Sequence, residues 1–398
     1  MTTFGILSTY PPTQCGLATF SAALRAALRS PTDLVDVVAV VDAAEVPRMP
    51  VTPVTPDEDG PVHYWVRGEP GGAARVADRL NNYDIAIVQH EYGIYGGPDG
   101  ADVLNVVREL DVPVVVVLHT VLTTPTLRQR AILDELVLRA SAVVTMTHTA
   151  RERLIEHYVV TPDDIHVVPH GATDARPAAA VPAAPDAAGP AGNGQPGDGR
   201  PTILTWGLLG PGKGIEWAIE AMVDLGDLDP APRYLIVGET HPKVLEFEGE
   251  RYRESLEQRV RDLGLEHVVE FDAHYLTTSD LRELVRQADV VLLPYDSQEQ
   301  VTSGVLVEAV TARRPVVATG FPHARELLAS GAGLLVERQS PVAIAAAVRR
   351  VLTEPGLAAR MTAEGTEIAP GLLWPAVADQ YRQLAAMALG LDDDRMSA

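Results

Sequence analysis

Cysteine is almost absent: Cys15 is the only one in the chain. That excludes an intrachain disulfide and a thiolate metal cluster. Aromatics are scarce at 5%, and no apolar run is long enough to span a bilayer. Cations are outnumbered, with 32 Lys and Arg against 54 Asp and Glu, a net charge of −22. So acidic a chain is a poor partner for nucleic acid and has no polybasic grip on an anionic membrane. The first residues, Met1-Thr-Thr-Phe-Gly-Ile-Leu-Ser8, have neither a basic start nor a long apolar stretch, so no signal peptide is expected and the expected location is cytoplasmic. Oligomeric state leaves no mark on the sequence.

What is present is alternation. Short apolar runs recur at 4–8, 35–41, 85–88, 114–118 and 142–146, with His63-Tyr-Trp-Val66 as a further candidate strand. Helical patterns at 19–28, 101–110, 125–139 and 149–157 separate them. Runs apolar on both faces are the mark of buried parallel strands, and strand–helix alternation means a doubly wound α/β sheet. Residues 176–200 then break the pattern with Ala, Pro and Gly and read as a linker. The alternation restarts, with runs at 202–206, 234–237, 268–271, 290–293, 316–319 and 333–336. Helical patterns at 215–225, 248–263, 279–287, 305–311 and 342–352 lie among them, and one at 374–389 closes the chain. The expected organisation is an N-terminal α/β domain over 1–175, a linker over 176–200, a second α/β domain over 201–372, and a terminal helix and tail over 373–398.

Chemistry-bearing residues collect where these strands stop, the end at which open α/β sheets bind ligands. The richest stretch is Pro294-Tyr-Asp-Ser-Gln-Glu-Gln-Val-Thr-Ser-Gly-Val-Leu-Val-Glu308. A buried strand ends there in a polar loop, and an apolar helix begins at Ser303 and Gly304. Its unpaired N–H groups and positive dipole end suit a phosphate, and Glu308, about one turn further in, suits a neighbouring hydroxyl. Gly207-Leu-Leu-Gly-Pro-Gly-Lys213-Gly214 lets backbone approach a ligand closely, with Lys213 to offset phosphate charge. Gly207, Gly212 and Lys213 also fit P-loop spacing, but Gly214 stands where Ser or Thr would hold magnesium. A plain glycine turn with a surface lysine is the simpler alternative. Gly238 follows another strand, and His241 and Lys243 follow Gly238.

In the first half, Gly16 opens a helix within Gln14-Cys-Gly-Leu-Ala-Thr-Phe20. His90, His119, His148 and His170 stand at or just beyond strand ends, with Glu91 beside His90. Any one of these histidines can instead be a helix cap or a backbone bridge. His166 and His170 share metal-ligand spacing, but the strand-like Val167-Val-Pro169 between them holds them too far apart for one ion, so no metal is expected.

Taken together, Gly16, the His119 strand end, Val168-Pro-His-Gly171, Gly207 to Gly214, Gln300 to Glu308 and Pro315 to Thr319 resemble the retaining glycosyltransferases of family 4. The resemblance covers nearly the whole chain. It implies the GT-B fold: two Rossmann-like domains facing a cleft, with the Trp374 helix returning to the first domain. It implies a nucleotide-diphospho-sugar co-substrate, no cofactor and no required metal, and a glycan, lipid or small-molecule acceptor. The sugar would be a hexose of mannose or glucose type, transferred with retention. By the resemblance Lys213, Gly212, Gly238, Ser303 and Gly304 hold the donor, with Gly16 close to its phosphate. Glu308 binds ribose hydroxyls, and His119 orients the transferred sugar. His90, Glu91, His148 and His170 fall on the acceptor side. Two positions depart from the family pattern. Gln300 stands where the family has a sugar-contacting Glu, with Glu299 beside it as a substitute, and Leu208 and Leu209 stand where many members have an Arg. Other classes open to such a chain are a GT-B epimerase, a phosphorylase or a non-catalytic sugar-nucleotide-binding protein.

Overall fold

A computed structural model describes residues 1–46, 62–174 and 199–391. The expected linker lies almost wholly outside the described residues, as does the end of the tail. Among the described residues the chain forms two compact units. The first takes in Met1–Ala172, the short segment Glu299–Gly304 and Gly371–Ala398; the second takes in Thr173–Gln298 and Val305–Pro370.

The first unit is built on seven strands: β1 (Thr3–Ser8), β2 (Leu34–Val41), β3 (Val62–Val66), β4 (Ile85–His90), β5 (Val114–Leu118), β6 (Ala142–Thr145) and β7 (Ile165–Val167). Their order is β3-β2-β1-β4-β5-β6-β7, and every pair is parallel. The second unit has β8 (Thr202–Trp206), β9 (Arg233–Val237), β10 (Val269–Asp272), β11 (Val290–Leu293), β12 (Val316–Thr319) and β13 (Gly333–Val336). These run in the order β10-β9-β8-β11-β12-β13, again all parallel. Both sheets therefore follow the doubly wound order 3-2-1-4-5-6, which reverses between the first and fourth strands of each unit.

Burial explains the composition of the strands. The inner strands β4, β5, β6, β8, β11 and β12 are buried throughout. Their Val, Ile and Leu side chains meet helices on both faces, as a parallel sheet requires. Interrupted runs belong to the edges: β3 exposes Tyr64, β10 exposes Glu270 and β13 exposes Leu335.

Several helices escape the sequence patterns. The helix Leu357–Leu372 contains Gly365 and Pro370. Both normally argue against a helix. Gly365 is tolerated because a Cβ there would come within 3.2 Å of the Val310 carbonyl, so its smallness serves close packing. The pattern at 248–263 forms the helix Arg251–Asp262, and a separate helix that the patterns do not include, Pro242–Glu248, precedes it across Gly249 with φ +64°.

The helix Trp374–Ala388 packs on the first unit. Trp374, Val377, Ala378, Tyr381, Leu384 and Ala385 are buried at helical spacing, in the same core as Phe20, Leu24 and Leu28. Its entry is pinned by main-chain bonds from Ala172 N to Leu372 O (2.8 Å) and from Trp374 N to Ala172 O (3.0 Å). A Cβ at Gly171 would fall within the Trp374 ring, so that neighbour must be glycine. Arg382 donates to the carbonyls of Ala27 (2.9 Å) and Leu28 (3.1 Å), satisfying the C-terminal end of the helix Gly16–Leu28. Trp374→Ala is expected to destabilise the first unit by about 3–5 kcal/mol, the usual cost of emptying a large aromatic site. The check is a lower urea midpoint at unchanged slope; an unmoved midpoint would place the strength of this joint elsewhere.

Candidate functional site

In the second unit the sheet order reverses between β8 and β11, and the loops leaving those strands are joined. The loop after β8 runs through three glycines with positive φ: Gly207 (+121°), Gly212 (+86°) and Gly214 (+65°). A Cβ on Gly214 would collide with the Pro294 carbonyl just beyond β11. Asp296 N donates to Gly212 O at 3.0 Å, and Asp296 also accepts from the Trp217 indole at 3.2 Å. On the other flank the β8 and β9 loops cross. Gly238 (φ +131°) lies against the Gly207 carbonyl, where no Cβ fits, and Leu209 N donates to Glu239 O at 2.8 Å. The glycine pattern in the sequence thus corresponds to two close crossings of backbone.

Lys213 stands on this platform. Its Nζ lies 4.5 Å from the centroid of the Tyr295 ring, which is itself stacked on Phe321 at 5.3 Å. Lys213 has no ion-pair partner among the described residues, and burial lowers its pKa. A desolvated cation without a carboxylate is poised to take an anion. Nearby His241 accepts at Nδ1 from Lys243 N (3.2 Å); burial chiefly, then the charges of Lys213 and Lys243, lowers its pKa.

Glu308 lies in the helix Gly304–Thr311. Burial pushes its carboxyl up to about 7, partly opposed by a hydrogen bond from the side chain of Trp206, the last residue of β8. Glu308 and Lys213 therefore serve the same end of the same strand. Arg325, beyond β12, is exposed and donates to the Gly320 carbonyl at 2.7 Å.

In the first unit the reversal lies between β1 and β4. Gly16 begins the helix Gly16–Leu28 after β1, and nothing lies within 4 Å of where its Cβ would be. The N-cap is Cys15, whose Sγ accepts from Ala18 N at 3.4 Å. His90 ends β4 fully buried, its Nδ1 without a partner among the described residues. Next to it, Glu91 accepts from the Thr120 hydroxyl. His119 follows β5, and its Nε2 bonds Gln89 Oε1 at 2.7 Å, so the neutral ring carries its proton there. Phe20 gathers the group, edge-on to His119 (4.9 Å), His170 (5.0 Å) and Trp374 (5.1 Å). Burial pushes His119 down to about 3, and His90 and His170 to about 4, so all three are neutral near pH 7. His148 is not part of this group; it is exposed at the start of the helix His148–His157.

The segment Glu299–Gly304 belongs to this first unit. Glu299 accepts from Thr123 and pairs with Arg153 at 2.9 Å. Gln300 donates to Thr302 O at 3.1 Å, Ser303 is buried, and Gly304 lies against the His170 ring, where a Cβ would come within 2.8 Å. Thr123, Arg153, Tyr295 and Trp206 did not stand out in the sequence, because each becomes significant only through a partner distant along the chain. Among the described residues no group of three or more His, Cys, Asp or Glu is placed to hold a metal ion, and no helix is long and apolar enough to cross a membrane.

The family model Glycosyl transferases group 1 matches residues 193–368, and Glycosyltransferase Family 4 matches residues 16–176. The chain is a family 4 glycosyltransferase. Among curated relatives of this family 4 glycosyltransferase is a D-inositol 3-phosphate glycosyltransferase of Corynebacterium aurimucosum, 28% identical over 336 residues, 83% of this chain and 72% of the relative. An alpha-D-kanosaminyltransferase of Streptomyces kanamyceticus is 25% identical over 316 residues, 76% of this chain and 77% of the relative. The fold is that of the GT-B glycosyltransferases. The Anabaena protein HepE, solved in complex with UDP-glucose, superposes with a TM-score of 0.72 at 18% identity, covering 97% of this chain and 100% of that one.

Glu308 generates a test within this glycosyltransferase. Its folded pKa, about 7, lies above the ordinary value of 4.5. The folded chain thus favours the protonated form, and that stability is full below about pH 4.5 and lost as pH rises through about 7. Glu308→Gln is expected to flatten the stability profile over this window and to be the more stable chain at about pH 8. Urea midpoints across pH check it; parallel profiles for the two chains would refute the burial account.

Proposed function

We propose that this glycosyltransferase moves a hexosyl group of mannose or glucose type from a nucleotide-diphospho-sugar to an acceptor hydroxyl, with retention of configuration and without a metal. The observation that carries the reading is Lys213, a partly desolvated cation with no carboxylate partner among the described residues, set on glycine turns where the sheet order reverses. The complex of HepE with UDP-glucose supports a nucleotide-sugar donor.

In this reading the bond between the sugar C1 and the donor phosphate oxygen breaks. The departing nucleoside diphosphate gains negative charge, and Lys213 offsets it, the largest help a protein can give such a step. Main-chain N–H groups at Gly212, Gly238, Ser303 and Gly304 add hydrogen bonds, with Gly16 also close to the phosphate. Glu308 accepts from ribose hydroxyls. The acceptor oxygen bonds to C1 on the face the leaving group vacates, and its proton passes to the leaving phosphate oxygen. His119, being neutral, orients a sugar hydroxyl by hydrogen bonding and does not act as a cation. His90, Glu91 and His170 are assigned to the acceptor side. The exposed His148 has the least support there.

The test is a thermal-stability titration with UDP, GDP, UDP-glucose and GDP-mannose, with and without magnesium. A ligand that binds the folded chain raises the midpoint by mass action. A shift with one base, independent of magnesium and lost in Lys213→Ala, is expected. A shift only from a nucleoside triphosphate with magnesium, or none at all, would count against the reading.

A further inference from the structure

The segment Glu299–Gly304 has no helix or strand of its own until Gly304, yet side chains of the first unit hold it at several points. Glu299 Oε1 accepts from Thr123 Oγ1 at 2.9 Å, and Oε2 accepts from Thr123 N at 3.3 Å and from Arg153 Nη1 at 2.9 Å. Arg153 also donates to the Glu299 carbonyl at 3.2 Å and to Val121 O at 3.4 Å. Two residues on, the Val301 carbonyl accepts from Thr147 Oγ1 at 3.1 Å, and the Val301 side chain is buried in the first unit's core. Irregular backbone must satisfy its polar groups somewhere, and here side chains from other elements do so.

The Arg153 side chain is only 14% exposed, against 43% for Glu299. The arginine is the fixed partner, and the carboxylate comes to it. Both Glu299 oxygens are thus engaged by the first unit, which favours Gln300 over Glu299 as the sugar contact.

We propose that Glu299 is a positioning residue: its pairing with Arg153 and Thr123 latches the segment that carries Gln300, Ser303 and Gly304, and so sets where the helix leading to Glu308 begins. The role in transfer rests on the function proposed above; the latch itself does not. Of the groups that hold the donor in that reading, Lys213, Gly212, Gly238 and Glu308 lie in the second unit, whereas the N–H groups of Ser303 and Gly304 lie in the latched segment. Loosening the latch therefore lowers turnover and weakens nucleotide binding only by the share that Ser303 and Gly304 contribute, less than loss of Lys213 does.

The experiment compares Glu299→Gln, Arg153→Gln, the double variant and Arg153→Lys. Three quantities are read: amide hydrogen exchange over Val301–Gly304, the midpoint shift with UDP and GDP, and kcat for slow hydrolysis of UDP-glucose or GDP-mannose, whichever binds. Both Gln variants are expected to speed exchange of these amides tenfold or more and to lower kcat tenfold or more. The nucleotide shift should shrink less than it does in Lys213→Ala. The double variant should be no worse than the worse single, as for two halves of one interaction, and Arg153→Lys should restore part of both losses. A crippled Glu299→Gln beside a near-normal Arg153→Gln would overturn the proposal, because Glu299 would then act on the sugar directly. Unchanged exchange in all variants would overturn it as well. If neither nucleotide binds the parent chain, the functional reading fails while the exchange arm still decides the latch.

Discussion

Parallel strands with helices on both faces leave their polar chemistry one place to go, the ends of the strands. Valine, isoleucine and leucine fill the inner strands because both faces are dry. The candidate functional residues described above accordingly stand in the loops beyond carboxyl strand ends or in the first turns of the helices that follow. Where the strand order reverses, adjacent loops diverge to opposite faces and leave room between them. In the second unit the loops there are tied by close backbone contacts, Gly214 against the Pro294 carbonyl and Gly238 against the Gly207 carbonyl.

The two units treat charge differently. The first unit holds three imidazoles that burial keeps neutral, His119 and His170 against Phe20 and His90 against Tyr92. The second unit places a cation and a carboxyl at the end of β8 without pairing them to each other. Trp206 bonds Glu308, and Tyr295 lies beneath Lys213. Aromatic residues are rare in this chain, and several of them are spent on these contacts.

Strand identity and the doubly wound class were legible because buried parallel strands are continuous apolar runs, and the family was legible because glycine, histidine and acidic positions recur at fixed points on that frame. Helices such as Leu357–Leu372 were not legible. Gly365 and Pro370 mimic a break, and only contact with Val310 shows why glycine is there. The pair Glu299–Gln300 was legible as a departure but not as a mechanism, because the partner, Arg153, lies 146 positions earlier. Tyr295 likewise looks like a loop residue until the chain folds it beneath Lys213.

The chain's single thiol caps the helix that opens at Gly16, where it also touches the Thr9 hydroxyl at 3.2 Å. A protein with one sulfhydryl, partly accessible and seated beside a strand-end loop, already carries a unique attachment point for a spectroscopic reporter. A fluorophore or spin label introduced there needs no background cysteines removed, and it would register the surroundings of that loop from a single known position.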